Sequence, residues 1–407
     1  MPRMDRRIDG AWGWVVTAAV FVLLFLAYGN AYTFGVFFPA LAAEFDADRA
    51  DTALVFSVLA ALYSTLATIS GPAADRFGTR AVCGFGMVAM AAGLAYASTA
   101  QALWQVYLGF GLGVALGIGC NFAPASAGLQ RWVTRRRGLA SGLSSTGVGV
   151  SVLVLPPLVA ALIDWRDWRA AMLTLAALSL VFGVASAALM GDPPGTRRDR
   201  NEPPAATRFD LRRALASRGF VAFHLSSTCA CIGIFIPFVH LVTYATDRGF
   251  DEATGVLLIA VIGVASLVGR VVLTVASDRL GRRASIAVIY AAMGASFVLW
   301  WWGGSVAVLT VFAVLFGVSY GGYVGMIAPI IAEYFGTERI GSVLGCFMSS
   351  VALGGFFGPW FAGHAYDLWG SYDVPLLLAG GFGLLAALFA LAMPSRPYAA
   401  STFHVAV

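Results

Sequence analysis

Long apolar segments alternate with short polar ones along the whole chain. We count twelve segments of about 20 mostly apolar residues, the length that a helix needs to cross a bilayer. They begin near Trp12, Thr52, Arg80, Ala102, Gly138, Trp168, Phe220, Ala253, Ala284, Ser305, Ile340 and Val374. Apolar and polar residues do not alternate within them, as they would in the strands of an outer-membrane barrel. The pattern predicts an all-α membrane protein with twelve transmembrane helices, which we number spans 1 to 12.

The composition excludes a water-soluble protein. Of 407 residues, 59% are hydrophobic and 12% are charged, and the mean hydropathy is +0.81. Soluble domains carry about 25% charged residues, so this chain lacks the residues for a water-facing surface. The first apolar segment covers residues 12 to about 41. Because the apolar region of a signal peptide has only about 7–15 residues, we expect this segment to be a true span.

The arginines predict the orientation of the spans. All 26 basic residues are arginines, and if the N-terminus is cytoplasmic, 21 of them lie on the cytoplasmic side. Only Arg49, Arg166, Arg169 and Arg248 lie in loops on the other side, with Arg270 left over. The positive-inside rule predicts a multi-pass protein of the plasma (inner) membrane with both termini in the cytoplasm. Since the arginines are spread over short loops, we expect a lipid bilayer and no nucleic acid as partner.

A polar segment divides the chain into two halves. Residues 191–219 read "GDPPGTRRDRNEPPAATRFDLRRALASRG", which is rich in Pro and Arg. We therefore predict an N-terminal six-helix half (1–190), a cytoplasmic linker (191–218) and a C-terminal six-helix half (219–407). Within the linker, "FDLRRALAS" fits a short amphipathic helix at the membrane surface or a solvated tether equally well.

Two loops echo each other at nearly the same offset. "ADRFGTR" (residues 74–80) matches "SDRLGRR" (277–283), and "RGLASGL" from 137 matches "RIGSVLG" from 339. This repetition indicates duplicated halves. In each first loop the Asp can pair with arginines of a neighbouring helix end, and the Gly permits a tight turn. We predict a gating role for Asp75, Arg76, Arg80, Asp278, Arg279 and Arg283.

Three stretches resemble the signatures of known transporters. The repeated Asp-Arg-x-Gly-x-Arg loop looks like the cytoplasmic signature of the major facilitator superfamily. "DGAWGWVV" (residues 9–16) is similar to the opening signature of the monocarboxylate transporter family, except that the family usually has Gly or Ser at Ala11. "RWVTRRRGLASGLSSTGVGV" (131–150) is similar to that family's second signature, which the oxalate/formate antiporters largely share. The resemblance implies two pseudo-symmetric six-helix halves around a central site.

Arg270 lies inside the apolar stretch "LLIAVIGVASLVGRVVLTVAS" of span 8. A charge at mid-bilayer depth costs about 2.5–3.5 kcal/mol on insertion scales. Arg270 could reach the interface, pair with a buried carboxylate, or face a wet cavity where an anionic substrate neutralises it. We favour the third explanation, because it lies about 12 Å from the helix end and the acids near spans lie towards cytoplasmic ends. The resemblance agrees, since monocarboxylate transporters bind the substrate carboxylate with a span 8 arginine that Arg270 matches.

Two companions of that arginine are absent from this chain. Eukaryotic family members often have Asp four residues before the arginine and Lys in span 1, where this chain has Ser266 and Tyr32. These groups are implicated in proton coupling, so their absence leaves the coupling ion open. His224, early in span 7, is a candidate for carrying the proton. The alternative, which we favour, is a histidine that hydrogen-bonds within the bundle.

Further polar residues lie deep in the spans. We expect substrate contacts from Asn30, Tyr32, Tyr63, Asn121, Ser266, Tyr320 and Tyr323, with Arg270. For each of them, hydrogen bonding between helices is the alternative. The glycines of span 4 (Gly109, Gly113 and Gly117) and of span 5 (Gly142, Gly147 and Gly149) predict close packing of these helices against their neighbours.

The residues and the resemblance together predict a secondary transporter of small organic monocarboxylates such as lactate or pyruvate. We expect alternating access, with a proton as co-substrate and no cofactor or metal. The alternatives are an organic anion antiporter of the oxalate/formate type and a carboxylate sensor that does not transport. Enzyme motifs such as H-E-x-x-H are absent, so an enzyme is not predicted. The sequence leaves an accessory subunit open.

Overall fold

The computed structural model describes residues 8–191, 211–336 and 340–394 of the chain. These ranges are helical and contain no strand, and twelve of their helical stretches are long and apolar enough to cross a membrane. The helices are Ala11–Tyr32 and Phe34–Glu44 (span 1), Arg49–Phe77 (2), Thr79–Ala97 (3), Leu103–Trp132 (4), Arg137–Trp165 (5), Trp168–Leu189 (6), Arg218–Ile234 and Ile236–Asp247 (7), Glu252–Leu280 (8), Arg282–Trp302 (9), Val306–Phe335 (10), Ile340–Trp369 (11) and Asp373–Leu391 (12). The predicted all-α class with twelve spans is confirmed.

The spans pack as two equivalent sets of six. In the first half, span 1 packs against span 5, span 2 against span 4, and span 3 against spans 4 and 6. The matching pairs of the second half are 7 with 11, 8 with 10, and 9 with 10 and 12. The halves meet where span 2 contacts span 11 and, equivalently, where span 8 contacts span 5. The interface between the two bundles is therefore formed by spans 2 and 5 of the first half and spans 8 and 11 of the second.

Local breaks repeat between the halves as well. Spans 1 and 7, the first spans of the two halves, each consist of two helical pieces. The break lies at Thr33 in span 1 and at Phe235 in span 7. Gly78 and Gly281, in the two echoed loops, have φ values of 91° and 84°. Only glycine adopts this backbone conformation without strain, so the predicted tight turns are present in both halves.

The bundle has two faces, one at each end of the spans. We call the face that carries residues 8–10 and 392–394 the terminal face, and the other the opposite face. Much of the predicted linker lies outside the described residues, as does Arg339 of the second echo. The described part of the linker contains a short helix, Leu211–Leu215, followed by the Ser217 cap of span 7.

Glycines bring several helices into close contact. Span 4 approaches span 3 through Gly109, Gly113 and Gly117, as predicted; a Cβ on Gly113 would lie 2.7 Å from the Gly93 Cα. In span 5, a Cβ on Gly147 would lie 2.4 Å from the Phe21 carbonyl oxygen of span 1. Gly142 differs, because a Cβ there would meet open space, and its predicted packing role is wrong.

Candidate functional site

Arg270 extends from span 8 to the other half of the molecule. Its Nη1 donates a hydrogen bond to the backbone carbonyl of Ser145 in span 5, at 2.9 Å. Its Nε and Nη2 are buried and have no hydrogen-bond partner among the described residues. These two nitrogens lie on one edge of the planar guanidinium, the edge that binds a carboxylate through two parallel hydrogen bonds.

No acidic side chain neutralises Arg270 in the ranges that the structure describes. The acids that form ion pairs there use other arginines: Asp247 pairs with Arg49, Glu44 with Arg169, and Asp278 and Glu333 with Arg282. A buried donor left without a partner costs about 1–3 kcal/mol, and more when it is charged. The free edge is therefore a place where an anion would be stabilised.

Aromatic rings line the region around Arg270. The phenols of Tyr28 and Tyr320 lie within electrostatic range of its guanidinium. The Tyr28 ring centroid lies 6.1 Å from that of Tyr63, 6.0 Å from that of Phe122 and 6.2 Å from that of Tyr32. Sequence reasoning missed Tyr28, although it stands one helical turn before Tyr32 on the same face of span 1.

Tyr32 and Tyr320 join the two halves. Their hydroxyls are 2.5 Å apart, so one donates a hydrogen bond to the other. The Phe238 ring of span 7 packs against both, with centroids 4.5 Å from Tyr32 and 5.4 Å from Tyr320. Tyr32 thus carries a hydrogen bond across the interface between the halves.

Two predicted site residues are directed into the N-terminal half instead. The Asn30 amide donates to the Leu26 carbonyl at 2.7 Å and to Ser179 Oγ at 3.2 Å. The Asn121 amide donates to the Gly117 carbonyl at 2.7 Å and lies against Gly86 of span 3. The Asn30 amide links spans 1 and 6 of one half, whereas the Asn121 amide bonds within span 4. Neither amide meets Arg270 in this arrangement.

Two more predicted site residues bond within the C-terminal half. The Tyr323 hydroxyl lies 2.7 Å from Ser227 Oγ and 3.4 Å from Cys231 Sγ, both in span 7. Ser266 Oγ donates to the Gly263 carbonyl of its own helix at 2.8 Å. Of the predicted polar set, Arg270, Tyr32, Tyr63 and Tyr320 are therefore the residues that the structure brings together, with Tyr28 added.

His224 is half-buried near the terminal face. Its Nε2 lies 2.8 Å from Ser349 Oγ of span 11, in the same half, and its ring packs against that of Phe220. These contacts are those of a histidine that hydrogen-bonds within the bundle.

The echoed loops of the terminal face make contacts within their own halves. Arg282, which the sequence reasoning did not single out, bonds Asp278 and Glu333, each at 2.8 Å. Arg283 donates to the Leu391 carbonyl. In the first half, Arg76 lies over the ring of Phe77 and Arg80 lies beside Gly191. Arg279 is exposed, and the side chain of Asp75 lies outside the described part, so their gating roles stay predictions.

The two quoted signatures contact each other at the terminal face. Asp9 accepts hydrogen bonds from the backbone N–H groups of Thr134 and Arg135, at 2.7 and 3.0 Å, and from the Thr134 hydroxyl. Trp12 packs against Trp132. These hydrogen bonds lower the pKa of Asp9, and the largest contribution comes from the Thr134 hydroxyl, followed by the Arg135 backbone N–H. Asp9 thus ties span 1 to the loop between spans 4 and 5.

An apolar groove of about 550 Å³ lies apart from this region, between spans 2, 3 and 4. It contains none of the predicted site residues. Among the described residues, no group of three His, Cys, Asp or Glu side chains could hold a metal ion.

Comparisons with known sequences identify the family. A sequence model described as Major Facilitator Superfamily matches residues 20–306 and, in a second alignment, 257–405. Monocarboxylate transporter 11 of Homo sapiens is 32% identical over 405 residues, which cover 95% of this chain and 84% of that protein. Monocarboxylate transporter 13 of Rattus norvegicus is 31% identical over 388 residues, which cover 95% of this chain and 90% of that protein.

Solved structures share the fold at low sequence identity. A bacterial homologue of the human lysosomal transporter Spinster, in an inward-facing and unoccupied conformation, has a TM-score of 0.76 at 13% identity and covers 94% of this chain and 96% of its own. The human organic anion transporter MFSD10 (TETRAN) has a TM-score of 0.70 at 17% identity, covering 93% and 99%. With twelve spans in two equivalent halves, the chain is a multi-pass membrane transporter that belongs to the major facilitator superfamily and, within it, to the monocarboxylate transporter family.

Proposed function

We propose that this protein transports small organic monocarboxylates, such as lactate or pyruvate, and that Arg270 binds the carboxylate. One observation carries the proposal: the Nε–Nη2 edge of a buried guanidinium at the interface between the halves has no partner in the described chain. A carboxylate matches this edge in both charge and geometry. The same cation disfavours a cationic substrate and gives no advantage to a sugar.

The surroundings of Arg270 favour one carboxylate per substrate. Arg270 is the single cation in the set formed with Tyr28, Tyr32, Tyr63 and Tyr320, and a dicarboxylate would need a second. The Tyr28 hydroxyl makes no hydrogen bond to the residues that the structure describes, and it is available to a hydroxyl or keto oxygen of the substrate. The aromatic rings suit a short apolar body.

Binding and conformational change are coupled through the same charge. An empty guanidinium resists enclosure by apolar walls, because an unpaired charge is costly to bury. A bound carboxylate removes that cost and favours the change of access. The Tyr32–Tyr320 bond is then broken when the halves separate on the opposite face. When the opposite face is open, the two echoed loops, through Asp75 and Asp278, hold the halves together at the terminal face.

We place the terminal face in the cytoplasm, from the excess of arginines there, and the protein in the plasma (inner) membrane. The halves are taken as 1–190 and 219–407, with the linker between them. The substrate is a small organic anion, and a proton is its proposed co-substrate. His224 is the candidate proton carrier.

Anion exchange is the second candidate function. It is favoured by the absence, in the described spans, of a carboxylate that could neutralise Arg270. Without one, the empty carrier must move an uncompensated cation, which slows its return and favours exchange of one anion for another.

The test is uptake by the full-length protein in proteoliposomes, with labelled acetate, lactate, pyruvate, oxalate and glucose. We expect uptake of the three monocarboxylates, with little oxalate and no glucose. Binding of lactate in calorimetry without uptake would instead identify a sensor. Equal uptake of glucose, or uptake of oxalate alone, would contradict the proposal.

A second experiment separates proton coupling from exchange. If His224 carries a proton, an inward pH gradient raises lactate uptake into empty vesicles several-fold, and His224→Gln removes that increase while lactate exchange persists. The matched control is Ser349→Ala, which removes the partner of His224 but no titratable group. If lactate uptake requires lactate inside the vesicles and does not respond to the pH gradient, the protein is an exchanger. His224 then has no part in coupling.

A further inference from the structure

Arg49, at the start of span 2, reaches across the opposite face to the other half. Its Nη1 and Nη2 donate to the two carboxylate oxygens of Asp247, at 2.5 and 2.7 Å, and its Nη1 also donates to the Tyr372 hydroxyl at 2.8 Å. Asp247 ends span 7 and Tyr372 precedes span 12. The contact is a bidentate pair, the geometry in which an arginine binds a carboxylate most strongly.

A second carboxylate secures the same helix end. Asp367 of span 11 accepts hydrogen bonds from the backbone N–H groups of Arg49 and Ala50, at 3.0 and 2.7 Å. These N–H groups belong to the first turn of span 2, and the N–H groups of a first turn have no hydrogen-bond partner within their own helix. Because the helix N-terminus carries partial positive charge, a carboxylate there is stabilising. Asp367 thus caps a helix of one half from the other half.

The ion pair is also shielded from water. The Arg49 and Asp247 side chains are 19% and 26% exposed, and the Arg49 guanidinium carbon lies 3.6 Å from the centroid of the Tyr366 ring. Fully exposed pairs contribute little to stability. A partly buried, bidentate pair stacked on an aromatic ring is screened less by salt.

His240 contacts the Tyr372 hydroxyl that takes part in this cluster. It is fully buried, its Nε2 lies 2.9 Å from the Pro359 carbonyl and its Nδ1 lies 3.2 Å from the Tyr372 hydroxyl. A carbonyl only accepts, so Nε2 donates to it and the neutral ring accepts the Tyr372 proton at Nδ1. The Tyr372 oxygen is thereby oriented to accept from Arg49.

The charged contacts described on the terminal face differ from the Arg49–Asp247 pair, because each of them stays within one half. Those described for Arg282 and Arg283 stay within the C-terminal half, and Asp9 stays within the N-terminal half. Among the ion pairs named above, the one that joins the two halves, Arg49–Asp247, lies on the opposite face.

We propose that Arg49 is a gate residue of the transport cycle. Its pair with Asp247, together with the Asp367 cap, holds the opposite face closed and stabilises this access state. The pair must break for that face to open, so its strength sets the balance between the two states. This role concerns the conformational cycle and does not depend on which substrate is carried.

The test is hydrogen–deuterium exchange of the full-length protein in nanodiscs, for the parent, Arg49→Gln, Asp247→Asn and the double variant. Arg169→Gln is the matched control, because Arg169 pairs with Glu44 at 2.8 Å on the same face but within one half. We expect roughly tenfold faster exchange in residues 34–44 and 236–247 of each gate variant, the factor given by losing one charge-assisted pair. Hydrogen–deuterium exchange should become slower where spans 4, 5, 10 and 11 end at the terminal face.

The double variant should exchange no faster than Arg49→Gln, since both changes remove one interaction. The control should match the parent. Parent-like exchange in Arg49→Gln would overturn the proposal. So would faster exchange on both faces with a lowered melting temperature, because that pattern is general destabilisation rather than a shift between states.

Discussion

Replacing Arg270 by glutamine is expected to abolish carboxylate binding while leaving the protein folded. Glutamine keeps much of the side-chain bulk but loses the charge and the Nε–Nη2 edge that has no other partner. Two charge-assisted hydrogen bonds are lost, each worth about 1.5–3 kcal/mol. This corresponds to roughly a 10²- to 10⁴-fold weaker affinity for lactate. Isothermal calorimetry and proteoliposome uptake measure the two consequences directly.

The same substitution should not lower the melting temperature. The parent protein buries two unpaired N–H groups on a cation, which is unfavourable without a bound anion. Arg270→Gln removes that charge, so we expect an equal or higher melting temperature in the absence of substrate. Added lactate should raise the melting temperature of the parent and leave that of the variant unchanged.

Two further variants define what the side chain contributes. Arg270→Lys keeps a charge without the planar fork and should bind about ten- to a hundredfold more weakly than the parent. Arg218→Gln, at the exposed start of span 7 on the terminal face, is the control and should bind like the parent. An affinity of Arg270→Gln equal to that of the parent would remove Arg270 from the site.

The twelve spans could be predicted closely because the bilayer imposes one strong requirement. Every backbone polar group must be bonded within the membrane, so an apolar segment of sufficient length becomes a helix. The predicted start at Trp168 coincides with the observed one, and the start near Thr52 lies three residues after the observed Arg49. Arg270 was recognisable for a related reason, since a charge in such a segment has few permitted roles.

The rotation of each helix was not predictable in the same way. A helix of a soluble protein has a polar side that shows which face is buried, whereas these spans are apolar on all sides. Asn30 and Tyr32 illustrate the consequence. They are two residues apart and therefore about 200° apart around the helix, and one bonds within its own half while the other crosses to Tyr320. Sequence alone did not separate them.

Long-range partners were also beyond the sequence. Arg49 and Asp247 are separated by 198 positions, and neither stands in a motif. The sequence distinguishes Arg49 only as one of four arginines in the loops on the opposite side. That rarity was the available signal, because the positive-inside rule gives no reason for an arginine there. Its partner follows from the packing of span 2 against the C-terminal half.

The close crossing of spans 8 and 10 holds Arg270 in place, and one added methyl group should disturb it. A Cβ on Gly269 would lie 2.0 Å from the Val318 carbonyl oxygen and 2.7 Å from its Cα. These are backbone atoms of span 10, so no side-chain rotation can relieve the clash. Gly269→Ala should therefore force the helices apart and destabilise the protein by about 1–3 kcal/mol. A lowered melting temperature in the same nanodiscs measures this effect.

The substitution should also impair transport, since Arg270 is the next residue along the helix. A displacement of about 1 Å in a positioned group can cost on the order of a hundredfold in rate, and we expect lactate uptake to fall ten- to a hundredfold. Gly321→Ala should act similarly, because its Cβ would lie 2.0 Å from the Ser266 carbonyl oxygen on the other side of the crossing. Gly381→Ala in span 12 is the matched control, since its Cβ would meet nothing within 4 Å. There alanine should be neutral or stabilise the helix by up to about 1 kcal/mol. If Gly269→Ala and Gly381→Ala gave the same melting temperature and uptake, the crossing would not be what positions the guanidinium.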